Sequence, residues 1–243
     1  MESPSIPHLD YSGACRPSET ASGDFFEFTP LDGRRLLAAI GQTLGPAMSS
    51  AAMMAAVKTH FRGIVNGGPD ALAAAALRLN HALSDVGSDG SLATLFCAYL
   101  DPQRRVLRYL SAGHESALLF RAHRLHAQRL EPTGTVLGLT RRTVYRQRTV
   151  PLSPGDVLIA FTGGVADAVD RAGRVVGEAE VIETLRESPD DPPPVLVDRI
   201  LNAVERFGGA GQVVDRTVLA VRFAGSAGSL NERRAGALAF AAA

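Results

Sequence analysis

The stretch VLIAFTGGVADAVD (Val157–Asp170) combines a strand signal, a turn signal and a helix signal within fourteen residues. Its apolar run, Val157–Phe161, predicts a buried strand. Thr162-Gly163-Gly164 ends that run and predicts a tight turn, after which a helical pattern begins. Many folds place a binding or catalytic site at such a junction. This turn contains no acid, base or nucleophile beyond Thr162, so it either cradles a ligand or has lost a functional side chain.

Strand-like segments surround this stretch, and their order predicts antiparallel pairing. Asp24–Gly41 contains two apolar runs separated by Leu31-Asp32-Gly33, and Asp-Gly between such runs is a strong hairpin signal. A short polar turn at Pro102-Gln103-Arg104 joins two of the other runs. The remaining predicted strands are Ser91–Asp101, Arg105–Gly113, Ser116–Ala122, Thr143–Leu152 and Arg216–Phe223.

Helical spacing of apolar residues occurs in two early and two late segments. The first, Gly45–Val65, is rich in Ala and Met and has Ser49 or Ser50 as its candidate N-cap. Helices outside a sandwich of antiparallel sheets would accommodate this order of elements, so the pattern predicts one α+β domain. The other predicted helices are Pro69–Val86, Gly177–Glu187 and Pro193–Phe207.

The ends of the chain differ in composition from its middle. Residues 1–8 are expected to be a loose N-terminal leader, and residues 224–243 form a Gly/Ala-rich tail that we expect to be frayed. No linker or internal repeat divides the intervening residues. The sequence therefore predicts a single folded domain over residues 9–223.

The composition is that of an ordinary globular protein. The 243 residues are 46% hydrophobic and 21% charged, and the formal net charge is zero, which argues against an electrostatic nucleic-acid binder. No apolar run approaches the roughly 20 residues that cross a bilayer, and the N-terminus lacks a signal-peptide pattern. Cys15 and Cys97 lie far apart in sequence and are expected to be reduced thiols. These features predict a cytoplasmic protein with no membrane insertion.

Several common catalytic motifs are absent from the sequence. It has no Gly-x-Ser-x-Gly, Walker A motif, dinucleotide fingerprint or His-Glu-x-x-His motif. GGAGQVV (Gly208–Val214) lies between a predicted helix and a predicted strand, which is the wrong order for a dinucleotide loop.

Six blocks of sequence carry a further signal through their order along the chain. They are RPSETASGDFFEF (Arg16–Phe28), IGQTLGPAMSSAAMMA (Ile40–Ala55), ATLFCAYLD with LRYLSAGHESALLFR (Ala93–Arg121), VLGL (Val136–Leu139), LSPGDVLIAFTGGVADA (Leu152–Ala168) and VVDRTVLAVR (Val213–Arg222). In this order they resemble the SpoIIE/RsbU-type branch of the metal-dependent (PPM) serine/threonine protein phosphatases. The resemblance covers roughly residues 9–223, and six ordered blocks are far more specific than any one of them. It implies the PPM fold, an α+β sandwich of two antiparallel sheets flanked by helices.

The resemblance also implies a centre of two Mg²⁺ or Mn²⁺ ions held by four acidic positions. The two ions would share a water molecule and activate it. The first position is present as Asp24. The other three carry Gln42, Gly163 and Val214, so this chain departs from the family pattern at each of them. In the family the residue at Gly163 is the Asp of Thr-Asp-Gly-Val, which answers the question raised by the turn. Thr43 would supply a backbone carbonyl, a weak ligand by itself.

One carboxylate leaves most of the charge of two dications uncompensated, so we expect no tightly bound metal pair. Asp215 is adjacent to Val214, and a shift of one residue would recover one ligand. Asp167 and Asp215 are therefore candidate substitute ligands for a rearranged site with Mn²⁺ or Mg²⁺. The alternative for each of these acids is a solvated surface charge. His114, in the Ala-Gly-His segment, is expected to be a turn residue satisfied by local hydrogen bonds.

Three functions follow from the resemblance. The first is a pseudophosphatase that binds a phosphoserine-bearing anti-anti-sigma (STAS-type) regulator in bacterial partner switching without hydrolysing it. The second is an active, slow phosphatase with a rearranged metal site. The third is a non-catalytic interaction or anion-binding module. The sequence leaves the partner, the regulatory input and the oligomeric state open.

Overall fold

The computed structural model describes residues 5–18, 23–44, 49–61, 71–86, 92–114, 117–170, 172–207 and 214–225. Ten strands lie within these ranges, and all the pairings between them are antiparallel. They are β1 (Leu9–Arg16), β2 (Asp24–Leu31), β3 (Arg35–Leu44), β4 (Leu92–Asp101), β5 (Val106–Ala112), β6 (Ala117–Arg121), β7 (His126–Arg129), β8 (Arg148–Pro151), β9 (Val157–Phe161) and β10 (Arg216–Phe223).

The strands form two five-stranded sheets that pack face to face. The first sheet has the order β1-β10-β9-β6-β7 and the second has the order β2-β3-β4-β5-β8. Helices α1 (Ser50–Phe61) and α2 (Ala71–Val86) pack with the second sheet, whereas α4 (Gly177–Glu187) and α5 (Pro193–Phe207) pack with the first. The short helix α3 (Gly163–Ala166) directly follows β9. This is the predicted α+β sandwich of two antiparallel sheets flanked by helices.

Apolar side chains fill three layers of this sandwich. Phe61 lies between the early helices and the second sheet, Phe96 between the two sheets, and Phe161 between the first sheet and the late helices. All three rings are fully buried. Burying large side chains in every layer is the main source of stability in such a fold, and it fixes how the strand ends of the two sheets meet.

Several elements lie where the sequence predicts them. The Asp32-Gly33 hairpin joins β2 to β3, and both residues have the positive φ angles that such turns require. The bounds of α4, α5 and β10 equal the predicted segments. The first predicted helix is observed over Ser50–Phe61, and its remaining residues, 45–48 and 62–65, lie outside the described ranges. Ser49 caps it, because its Oγ accepts a hydrogen bond from Ala52 N at 3.2 Å.

Other predictions about the elements are wrong. Strands β1 and β7 were not expected, because neither segment contains a continuous apolar run. The predicted strand Thr143–Leu152 is reduced to Arg148–Pro151, since Tyr145 turns its side chain onto α2 instead of extending the ladder. The helix after the glycine turn has only four residues. Among the described residues, no helix is both long enough and apolar enough to cross a membrane.

Candidate functional site

The ends of four strands, two from each sheet, meet at one edge of the sandwich. Asp24 begins β2 and lies directly opposite Gln42 of β3. Thr162 follows the last residue of β9, and Thr217 lies near the start of β10. Both threonine hydroxyls donate hydrogen bonds to Oδ2 of Asp24, at 2.5 Å from Thr162 and 2.8 Å from Thr217. Asp24 therefore connects the two sheets at this edge.

The carboxyl group of Asp24 is buried and only half satisfied. The residue is 5% exposed, and its Oδ1 has no hydrogen-bond partner among the described residues. Burial raises the pKa of Asp24 to about 6, because a charged carboxylate is poorly solvated there. The hydrogen bonds from Thr162 and Thr217 lower the pKa, and the negative charge of Asp215 raises it slightly. A buried oxygen without a hydrogen bond lowers the free energy of unfolding, because its contact with water is lost and not replaced.

Asp215 is the second buried acid at this edge. Its Oδ1 accepts a hydrogen bond from Ser18 N at 2.8 Å, and its Oδ2 accepts one from Gly23 N at 3.0 Å. The carboxylate thus connects β10 to the residues before β2. Val214 is 47% exposed, with its Cγ2 at 3.3 Å from the position of a Cβ on Gly164. Asp215 is only 5% exposed. Its side chain, and not that of Val214, is therefore buried at the strand edge.

Gly163 lies between two oxygen atoms that the sequence does not predict to be close. A Cβ on Gly163 would be 3.3 Å from Oδ2 of Asp167 and 3.9 Å from Oε1 of Gln42. Asp167 follows α3, and its N–H donates to the Gly163 carbonyl at 2.8 Å. The absent side chain at position 163 thus leaves a space bordered by one carboxylate and one amide.

Thr43 is held against the residue that precedes Asp24. Its N–H and its hydroxyl both donate to the carbonyl of Gly23, at 2.8 and 3.1 Å. The Thr43 carbonyl oxygen would be 2.8 Å from a Cβ on Gly23. The Thr43 carbonyl oxygen, which the family resemblance implies is a weak ligand, is therefore packed beside the start of β2.

A pair of divalent cations does not fit the donor set of the described residues. Mg²⁺ and Mn²⁺ need several oxygen ligands, chiefly carboxylates, to replace their hydration. Within the described ranges, no group of three or more His, Cys, Asp or Glu side chains is arranged to hold a metal ion. Asp24 offers one unpartnered oxygen, Asp215 already accepts two backbone hydrogen bonds, and Gln42 is neutral.

Sequence reasoning missed the two threonines that bind Asp24. Thr162 is the one polar side chain of the turn, and Thr217 lies in a predominantly apolar strand. Their proximity to each other comes from the pairing of β9 with β10, in which Phe161 lies opposite Val218, and no local sequence pattern reports that pairing. His114 is buried behind this edge, with its Nδ1 at 3.4 Å from Oγ1 of Thr94.

Comparisons with known proteins agree with the fold. The family described as Stage II sporulation protein E (SpoIIE) matches residues 32–224. Phosphoserine phosphatase RsbU of Bacillus subtilis (strain 168) is 26% identical over 161 residues, which cover 65% of this chain and 47% of RsbU. The chain spans a third to about half of the length of the curated relatives it matches.

Two solved structures share the architecture. The PP2C phosphatase domain of the cell fate determinant SpoIIE from Bacillus subtilis, solved with a fragment of its regulatory domain, has a TM-score of 0.73 and 19% identity. That match covers 89% of this chain and 64% of the other. The RsbU and RsbW domains of Rv1364c from Mycobacterium tuberculosis have a TM-score of 0.73 and 25% identity, with coverage of 92% and 63%.

Proposed function

The chain belongs to the SpoIIE family of PPM-type phosphatases, and we propose that it is a pseudophosphatase that binds a phosphoserine-bearing regulator without hydrolysing it. The observation that carries the proposal is the space at Gly163, where the structure has an amide and one carboxylate. Hydrolysis in this metal-dependent family requires cations that activate water and neutralise the phosphoryl oxygens. With Gln42, Gly163 and Val214 at three of the four acidic positions, this chain lacks the charge that holds such cations.

The same substitutions favour an anion over a cation at this edge. A phosphoserine carries a charge of about −1.5 to −2 at neutral pH, so carboxylates around a binding site repel it. Replacing an acid by Gln42 removes one negative charge and adds an NH₂ group, which donates hydrogen bonds. The glycine at position 163 removes a second negative charge beside the carboxylate of Asp167. Both changes support binding without turnover.

We assign the regulator by analogy with partner switching. RsbU is a phosphoserine phosphatase, and a phosphoprotein of the STAS type is the partner that the family resemblance implies. On this proposal the chain works in the cytoplasm, through a domain that spans residues 9–223. The predicted leader, residues 1–8, does not lie wholly outside it, because Ile6 is buried in the core between the two sheets.

A second candidate function is a slow phosphatase with a rearranged metal site. The observation that favours it is the position of Asp167, whose Oδ2 lies 3.3 Å from where a side chain on Gly163 would begin. Asp167 would then replace the ligand missing at Gly163, and the unpartnered Oδ1 of Asp24 would be another ligand. Mn²⁺ or Mg²⁺ would be the cofactor. This candidate predicts metal-dependent turnover that Asp24→Ala abolishes.

Hydrolysis of p-nitrophenyl phosphate with millimolar Mn²⁺ separates the two candidates. The natural chain is compared with the triple variant Gln42→Asp/Gly163→Asp/Val214→Asp, which has all four acids of the family pattern. We expect the natural chain to be inactive and the triple variant to turn over substrate. Turnover by the natural chain that stops with a chelator would overturn the pseudophosphatase and support the rearranged site.

Binding is tested separately by calorimetry. The probe is a STAS-domain protein phosphorylated on its regulatory serine, and its unphosphorylated form is the control. We expect the natural chain to bind the phosphorylated form more tightly and to leave its phosphate in place. Equal binding of the two forms would contradict recognition of the phosphoserine.

A further inference from the structure

Residues 138–147, which we name the arginine loop, are held in one conformation by a buried side chain of α2. Asn80 is fully buried, and its Nδ2 donates to the Thr140 carbonyl at 3.0 Å. Its Oδ1 accepts hydrogen bonds from Gly138 N at 2.9 Å and from the Tyr145 hydroxyl at 3.1 Å. A single buried side chain thus satisfies three groups of the loop, so the conformation does not depend on a ligand.

This fixed loop presents apolar side chains to solvent. Val144 is 70% exposed and Leu139 is 57% exposed. They are two of the three most exposed large hydrophobic side chains in the described part of the chain. A single exposed apolar residue is ordinary. Here two of them lie on one loop whose Gly138, Thr140 and Tyr145 are hydrogen-bonded to Asn80 of α2, so the positions of both are set before any partner binds.

The charged side chains of the arginine loop are all positive. Arg141, Arg142 and Arg146 are exposed, and residues 138–147 contain no acid. Arg141 forms an ion pair with Asp85 of α2. Among the described residues, neither Arg142 nor Arg146 has an acidic partner. The loop therefore combines two uncompensated guanidinium groups with two exposed apolar side chains.

We propose that the arginine loop is a docking site for an acidic segment of a protein partner that also carries apolar side chains. Guanidinium groups bind carboxylates through paired hydrogen bonds, and Arg is enriched where protein interfaces bury charge. Leu139 and Val144 would contact the apolar side chains of the same segment. Because the loop is already fixed by Asn80, docking costs little ordering of the protein. The proposal does not depend on whether the strand-edge site binds a phosphoserine or a metal.

The composition of the loop distinguishes a protein partner from other anionic partners. Single-stranded nucleic acids are bound by exposed aromatic rings on which bases stack, and the one ring of this loop, Tyr145, is buried. Membrane surfaces select larger apolar faces with aromatic anchors. Carboxylates alternating with apolar side chains match the observed pattern of charge and exposure.

The test measures fluorescence anisotropy of a labelled peptide of repeating Glu-Leu-Asp units added to the full chain. The charge variant is Arg142→Glu/Arg146→Glu, and the apolar variant is Leu139→Ser/Val144→Ser. We expect each to weaken binding about tenfold. The matched control, Arg34→Glu/Arg124→Glu, reverses two exposed arginines elsewhere on the surface and should change binding less than about twofold. The melting temperature of each variant verifies that it is folded.

Four results would overturn the proposal. The first is a control variant that weakens binding as much as the charge variant, which would mean non-specific attraction. The second is undiminished binding when the acids of the peptide are replaced by Gln and Asn, or its Leu by Ala. The third is loop-dependent binding to anionic vesicles or single-stranded DNA that is tighter than binding to the peptide. The fourth is salt-sensitive self-association that the charge variant abolishes, which would make a second copy of this chain the occupant.

Discussion

Gly163 and Gly164 are neighbours in one turn, yet the structure requires only one of them to be glycine. A Cβ on Gly164 would lie 1.8 Å from the carbonyl oxygen of Asp215, a distance that backbone atoms cannot accommodate. A Cβ on Gly163 would meet only the end of the Asp167 side chain, at 3.3 Å, and the amide of Gln42, at 3.9 Å. Neither glycine has a positive φ angle, so the backbone conformation does not explain either one.

The two glycines therefore have different explanations: packing requires Gly164, and it does not require Gly163. Gly164 lets β10 approach the start of α3, which brings Thr217 and Thr162 to the same carboxylate of Asp24. Gly163 has no comparable steric role. The resemblance to the family places a metal ligand at position 163, and a glycine without a steric role is the residue expected there if that ligand has been lost. Position 163 taken alone therefore favours the proposed pseudophosphatase.

The largest expected effect is that of Gly164→Ala. The new methyl group forces the turn away from β10, and overpacking of this severity destabilises a protein by about 3 kcal/mol. The matched control is Gly163→Ala, which should change the free energy of unfolding by less than about 1 kcal/mol. Urea unfolding of both variants measures the difference. Equal destabilisation by the two alanines would remove the distinction between the glycines.

The buried carboxyl group of Asp24 should make the stability of the protein depend on pH. The folded-state pKa of about 6 lies above the usual value of 3.8, so the folded protein binds more protons than the unfolded chain between these values. The contribution of Asp24 to stability is therefore present at low pH and is lost as the pH rises to about 6. The loss is of order 2–3 kcal/mol.

Asp24→Asn removes this titration. Urea unfolding at a series of pH values measures the effect. We expect the free energy of unfolding of the variant, relative to that of the natural chain, to increase steadily as the pH rises from about 4 to 7. Asp198→Asn, which changes an exposed carboxylate on α5, is the matched control and should show no such trend. If the difference in free energy of unfolding between Asp24→Asn and the natural chain does not change with pH, then burial does not raise the pKa of Asp24.

The sequence predicts the scaffold better than the site because the two depend on different information. Apolar periodicity determines α4, α5 and β10, and each lies where it was predicted. Strand β1 was missed because it lies at the edge of its sheet and its apolar residues, which Ser12-Gly13 interrupts, form no continuous run. A local pattern reports burial along one segment, and it carries no information about which ladder a polar segment joins.

The contacts of the site depend on positions that are distant in the chain. Asp24 and Thr217 are 193 residues apart, and their hydrogen bond exists only because β2 and β10 belong to different sheets whose ends meet. The resemblance located Asp24, Gln42 and Gly163, and the structure brings these positions to one edge. It could not show that Asp167 borders the space at Gly163. The orientation of α3 determines that contact, and a four-residue helix has no clear sequence signal.

The smallest expected effect is that of Gly163→Asp, and it addresses the functional side of the comparison directly. A carboxylate at position 163 would begin 3.3 Å from Oδ2 of Asp167, and the repulsion should destabilise the metal-free protein by about 0.5–1 kcal/mol. A divalent cation between the two carboxylates would reverse the effect, so millimolar Mn²⁺ should raise the melting temperature of this variant. Gly163→Asn has the same shape without the charge and should not respond. If both variants respond alike to Mn²⁺, then Asp24, Asp167 and Gln42 already hold a cation, and the rearranged metal site is the better account of this protein.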